Sequence, residues 1–157
     1  MIKRFFLKHK LSSKDVSVVL VLLFLIAGGF LARPLLAEYA LNKADYYFNG
    51  GAYNLELAKK WYKVGGFLDP NSQEVHYQLA RIYFLQGNFD IARKEIGIEL
   101  QNFPDFERSH YVSGLINGYD GRFREAIGDF EEFLKWKPSS WAARNDLAWV
   151  YFQLGNF

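Results

Sequence analysis

The sequence predicts an all-α protein, with one apolar N-terminal helix followed by an array of antiparallel helix pairs. Three observations lead there. The stretch LARIYFLQGNFDIA, from Leu79, returns thirty-four residues later as SGLINGYDGRFREAI from Ser113, and again as LAWVYFQLGNF from Leu147. A fixed period of that length marks stacked units, each burying its apolar face only against its neighbours. Inside the units the apolar spacing is helical: Val75, Leu79, Ile82, Tyr83 and Leu85, then Phe89, Ala92, Ile96 and Leu100. Ahead of the array, Val16 to Ala32 form a run of seventeen residues without a charge.

Residues 1–15 form a basic tail, with Lys3, Arg4, Lys8, Lys10 and Lys14 against the single acid Asp15. Phe5, Phe6 and Leu7 lie among these cations, and either a short interfacial segment or a disordered tail suits them. Residues 16–36 are the expected transmembrane helix. Seventeen residues at about 1.5 Å each are near the lower limit for a bilayer core. A snorkelling Arg33 extends the apolar run through Leu35, Leu36 and Ala37. From Glu38 onward there are thirteen Lys/Arg against sixteen Asp/Glu, a formal charge of −3. The positive-inside rule then predicts a single-pass cell-membrane protein with a cytoplasmic N-terminus and extracytoplasmic repeats, as in a bacterial envelope. Repeats facing the cytoplasm conflict with this asymmetry. A cleaved signal peptide is the rival reading. Its best site follows Ala37, where Leu35 is a poor match, and the run is long for a signal, so an uncleaved anchor is expected. The chain has no cysteine, which excludes a lipid-bearing cysteine and disulfides. Arg33-Pro34 marks the exit, where proline kinks the helix or starts the next one. No flexible linker follows.

The array occupies residues 37–157, with an irregular copy at 37–72, copies at 73–106 and 107–140, and an incomplete one at 141–157. Helices are expected near 37–49, 55–67, 72–86, 89–102, 106–119, 123–136 and 140–154. Small residues recur as Ala80, Gly114 and Ala148, and as Ala58, Ala92 and Ala126, so that paired helices approach closely. Gly87, Gly121 and Gly155 end the first helix of each pair, because glycine takes the left-handed C-cap freely. Phe89, Phe123 and Phe157 open the second. Pro70, Pro104 and Pro138 stop it. Ala44, Tyr47, Gly51 and Tyr53 repeat the pattern thirty-six residues before Ala80, Tyr83, Gly87 and Phe89, with two extra residues near 54–56.

This pattern resembles the tetratricopeptide repeat (TPR) family: a Leu-Gly/Ala step, an aromatic such as Tyr83, then Gly, aromatic, Ala, aromatic and Pro. Residues 73–106 match closely, while the copy at 107–140 departs at Ser113 and Asn117. The resemblance implies a right-handed α-solenoid whose concave face binds a protein or peptide. In that geometry the first helix of each pair lines the concave face. Solvent-side positions then include Glu74, Tyr77, Arg81 and Phe84; Arg108, Tyr111, Leu115 and Tyr119; and Asn145, Trp149 and Phe152. Aromatics and Arg are frequent partner anchors. The expected ligand is an extended or helical peptide with apolar side chains and an acidic group. Some family members hold a C-terminal carboxylate with a clamp of Lys, Asn and Arg. Tyr77, Arg81 and Tyr111 do not reproduce it, so chaperone-tail binding is not expected.

Other classes fit poorly. His76 and His110 lie one period apart and are expected to fill the same packing slot in successive repeats. With so few histidines and no cysteine, a metal site is not expected. Glu95/Glu99 and Glu131/Glu132 read as solvated helix faces. No phosphate loop and no nucleophile with a base is evident, so no catalytic residue and no cofactor is expected. The basic cluster lies beside the anchor and the repeats are slightly acidic, which argues against nucleic acid. Phe157 should open a further helix. The last helix is therefore expected to expose Leu147, Val150, Tyr151 and Leu154 in part, with self-association through this uncapped helix as one outcome. The leading reading is a membrane-anchored scaffold for envelope complex assembly. The rival is the N-terminal fragment of a larger envelope enzyme, a glycosyltransferase or peptidase, with its catalytic domain beyond residue 157.

Overall fold

The computed structural model describes residues 13–155; the greater part of the expected basic tail and Phe157 lie outside the described residues. Seven helices follow one another: α1 Ser13–Phe48, α2 Leu55–Leu68, α3 Val75–Leu85, α4 Phe89–Asn102, α5 Glu107–Tyr119, α6 Phe123–Trp136 and α7 Trp141–Leu154. No strand occurs among the described residues. Each helix packs on the next in sequence, and α3 also meets α5 as α5 meets α7. The chain therefore forms an α-solenoid of antiparallel pairs with α1, α3, α5 and α7 on one side.

α1 continues through Pro34, so the next helix does not start there. A proline inside a helix forfeits one backbone bond and crowds the preceding turn, so packing must hold this segment. Ala37, Ala40, Ala44 and Phe48, spaced by three and four residues, are buried and supply that packing, since α1 lies along α2. Arg33 adds a tether, its Nη2 donating to the Phe67 carbonyl oxygen at 2.9 Å. That carbonyl lies at the C-terminal end of α2, the negative end of its dipole. Before Arg33 the helix stands clear of the array: Val18 to Phe24, Phe30 and Leu31 are exposed.

The turns explain the period. Gly87, Gly121 and Gly155 have φ of +72°, +77° and +76°, the left-handed region that costs other residues a clash at Cβ. The same joint thus closes α3, α5 and α7, the first helix of each pair. α2 and α7 begin under side-chain caps from Asn54 and Ser140, which accept from Leu57 and Ala143 N–H. α3 begins at Val75, later than the predicted residue 72. Glu74 sits before it at φ +76°, and its own N–H donates to Glu99 Oε1 at 2.8 Å. Tyr77 N–H donates to Glu99 Oε2 at 3.2 Å. Glu99 is fully buried, which overturns its reading as part of a solvated face. Its carboxylate reaches from α4 to the positive end of α3 and satisfies two backbone donors there.

Size is matched between α5 and α6. An added Cβ at Gly114 would lie 2.7 Å from ring atoms of Phe130. One repeat earlier the in-phase residues are Ala80 and Ile96, both buried. The larger Phe130 thus goes with the smaller Gly114. Val150, expected to be partly exposed, is fully buried with Ala126 and Phe130 in the second core cluster. Ala148 is exposed.

Gly114→Ala is expected to destabilise the chain by about 1–3 kcal/mol through overpacking. Adding Phe130→Ile recreates the Ala80/Ile96 pair and should recover part of that loss. Urea unfolding followed by circular dichroism checks both, and additive losses in the double variant would refute the size match.

Candidate partner-binding surface

The face lined by α3, α5 and α7 divides into two chemically distinct parts. The first is a stack of cations and rings. Arg81 lies over Phe48 at 4.7 Å and over Tyr77 at 5.6 Å. Arg108 lies over Phe106 at 4.7 Å and over Tyr77 at 5.6 Å. Arg108 also pairs with Glu74 at 2.6 Å, one repeat away. Tyr77 is only 7% exposed and meets Phe106 edge-on, so it is a core residue and not the solvent-side position expected of it. Burial pushes its phenol up, and the two Arg pull the other way. The guanidinium groups, not the Tyr77 ring, are what this part of the face presents.

The second part is a ladder of rings. Phe84 contacts Phe89 and Tyr119, and Tyr119 tilts against Trp149, with centroids 5.4–5.9 Å apart along the series. Tyr119 is 61% exposed and Trp149 38%. Beside them opens a cavity of about 200 Å³, lined by Gly114, Leu115, Gly118, Tyr119, Phe130, Asn145, Asp146 and Trp149. Gly118 leaves room for Trp149, whose ring would come within 3.3 Å of a Cβ there. Tyr111 is half-buried against Phe130 and Phe133, and its hydroxyl donates to Asp146 Oδ2 at 2.6 Å. Burial, helped by that carboxylate, pushes the Tyr111 phenol up.

The structure thus brings Arg81, Phe84, Arg108, Leu115, Tyr119, Asn145 and Trp149 to one face, with Tyr77 and Tyr111 behind it. Asp146 and Gly118 were missed by sequence reasoning. Asp146 lies thirty-five residues after Tyr111, one period and one residue, the same offset as between Phe84 and Tyr119. That spacing was the available signal.

The two histidines do not share a role. His76 Nδ1 pairs with Glu95 Oε2 at 2.6 Å, whereas His110 Nε2 faces the Pro104 carbonyl oxygen at 3.0 Å. Glu95 is therefore a partner, not a solvated charge. The α6 residue in phase with Glu95 is Asp129, and it is held by Ser113 Oγ and Asn117 Nδ2 at 2.8 and 2.7 Å. Burial raises the Asp129 carboxyl, and those bonds oppose it. Ser113 and Asn117, the two departures from the repeat pattern, are thus one polar cluster. Among the described residues no group of three or more His, Cys, Asp or Glu is placed to hold a metal ion.

The comparisons agree with this architecture. The tetratricopeptide repeat family model matches residues 111–157. No curated protein matches the chain. Among solved structures, the first TPR of Spaghetti (RPAP3), bound to the HSP90 peptide SRMEEVD, has 21% identity and a TM-score of 0.72. It covers 78% of this chain and 95% of its own. The Arabidopsis OM64 TPR domain gives 15% identity and a TM-score of 0.70, over 75% of this chain and 96% of that one. MamA gives 22% and 0.71, over 76% of this chain and 64% of its own. The chain has the TPR solenoid fold. Domains of this fold generally mediate protein–protein interaction and are typically non-catalytic.

His76 titrates above the ordinary histidine value of 6.5, because its hydrogen bond to Glu95 outweighs burial. Its contribution is complete below that value and is lost as pH rises through the folded one. His76→Gln should therefore lower stability by about 1 kcal/mol or less at pH ~6 and by less at pH ~8.5. Unfolding curves at the two pH values check the sign.

Proposed function

We propose that the chain is a membrane-anchored TPR scaffold that recruits a protein or peptide partner through the concave face, in the assembly of an envelope complex. One observation carries the recruiting role: exposed Tyr119 and Trp149 flank an open cavity on the face that also presents Arg81 and Arg108. Rings and guanidinium groups held in place by packing lose little entropy on binding. The peptide-bound RPAP3 domain, a neighbour in fold, supports a peptide ligand for this surface. The ligand proposed here is an extended or helical segment. Its apolar side chain enters the cavity beside Trp149, and its acidic group meets Arg81 and Arg108.

The anchor is residues 16–36, within the one described helix long and apolar enough to cross a membrane. Its most apolar window has a mean hydropathy of 2.3 and none of it is buried against the array. We place the N-terminus in the cytoplasm and the repeats outside it, on the charge asymmetry across the segment.

Trp149→Ala should weaken partner capture by about thirtyfold, corresponding to about 2 kcal/mol for an aromatic anchor. Lys94→Ala, on the exposed side of α4, should not. A photo-crosslinking residue at Tyr119, and not one at Lys94, should trap the partner. Equal trapping at the two positions would move the site off the concave face. For topology, the natural chain lacks cysteine, so a single Cys introduced at Asp120 reports its compartment. Labelling by an impermeant maleimide in intact cells is expected, and labelling only after lysis would reverse the orientation.

A further inference from the structure

The α6–α7 turn carries features that the repeat does not require. From Lys135 to Asn145 it reads KWKPSSWAARN, with three cations, two tryptophans and no acid. Only Pro138 belongs to the period. The residues in phase with Trp136 are Asn102 and Leu68, and those in phase with Trp141 are Glu107 and Gln73. The corresponding earlier turns contain acids, Asp69 with Glu74 in one and Asp105 with Glu107 in the other. Trp141 is 79% exposed and Trp136 50%. Exposure of that degree removes any role for the two rings in the core. Lys135 and Lys137 are more than half exposed as well.

The fold fixes where this turn lies. Helices alternate in direction, so the α2–α3, α4–α5 and α6–α7 turns share one edge of the array. Contacts along that edge tie it together. Arg33 donates to the Phe67 carbonyl, Arg108 pairs with Glu74, and Lys137 reaches Glu107 at 3.7 Å. It is therefore the edge from which the apolar part of α1 departs. α1 has no break between Arg33 and the array, so the edge stands at the level where the uncharged run ends. Phe67, 76% exposed beside Arg33, lies at the same level.

We propose that this edge rests on the bilayer surface, with the α6–α7 turn as an interfacial contact for anionic lipid. The proposal rests on the anchored reading above. Tryptophan favours the headgroup level, where its ring is in an apolar setting and its N–H stays hydrated. Lys135, Lys137 and Arg144 add attraction for anionic headgroups. The contact holds the solenoid at two points, the α1 exit and the far turn, with the concave face between them standing upright from the membrane.

The chain's four tryptophans allow a direct test. Full-length protein is reconstituted in phosphatidylcholine vesicles with a minority of phosphatidylglycerol and brominated acyl chains. Two single-tryptophan forms are compared, with the other three replaced by Phe; one keeps Trp141 and the other keeps Trp149. The Trp141 form should lose most of its emission to the bromolipid, and the Trp149 form should not. Lys135→Glu with Lys137→Glu should weaken the Trp141 quenching. A chain that fails to float with the vesicles overturns the anchor and this contact together. A chain that floats with Trp141 unquenched overturns the contact alone, and Trp141 shielded from aqueous acrylamide only when cell extract is added would assign the turn to a protein partner instead.

Discussion

Two antiparallel helices in this chain can share a core only where one of them has almost no side chain. Ala44, Ala58, Ala80, Ala92 and Ala126 are fully buried, and Gly114 sits under the ring of Phe130. Close approach at these points is what lets Tyr62, Ile96 and Phe130 fill the space between helices. Packing at near-crystalline density then makes each pair sensitive to a single added methyl. Every larger feature depends on it, because the pair is the unit that stacks, and the stack is what gathers residues from α3, α5 and α7 onto one face.

Much of this was legible in the sequence, since a repeat states the same physical requirement several times. The glycine joints, the small residues and the prolines recur at thirty-four residues, and α2 to α7 follow the expected helices within about three residues at either end. Departures came where a side chain serves only one repeat. Glu99 looks like any surface carboxylate at helical spacing. Its burial depends on the backbone donors of Glu74 and Tyr77, a contact between helices that no local pattern displays. Tyr77 was read as a groove residue by its phase. Phe106 and the Arg81 and Arg108 guanidinium groups close over it, and Phe106 and Arg108 come from outside its own helix.

The candidate surface was legible in its members but not in its division. Phase alone names Arg81, Arg108, Tyr119 and Trp149. It does not show that the cations are stacked on rings at one end while an open cavity sits at the other. Nor does it show that Ser113 and Asn117, which weaken the repeat signature, serve a half-buried Asp129. In a solenoid the skeleton repeats and the polar substitutions do not, so the individual character of the chain lies in its departures from period.

The unbroken α1 has a geometric consequence. A helix turns by about 100° for each residue. With no flexible joint at Pro34, the direction in which the concave face looks is fixed relative to every residue of the segment before Arg33. Removing one residue there would shorten the segment by about 1.5 Å, and would also swing it by more than a quarter turn about its axis relative to the array. In this molecule the length of the N-terminal helix is therefore also a compass bearing.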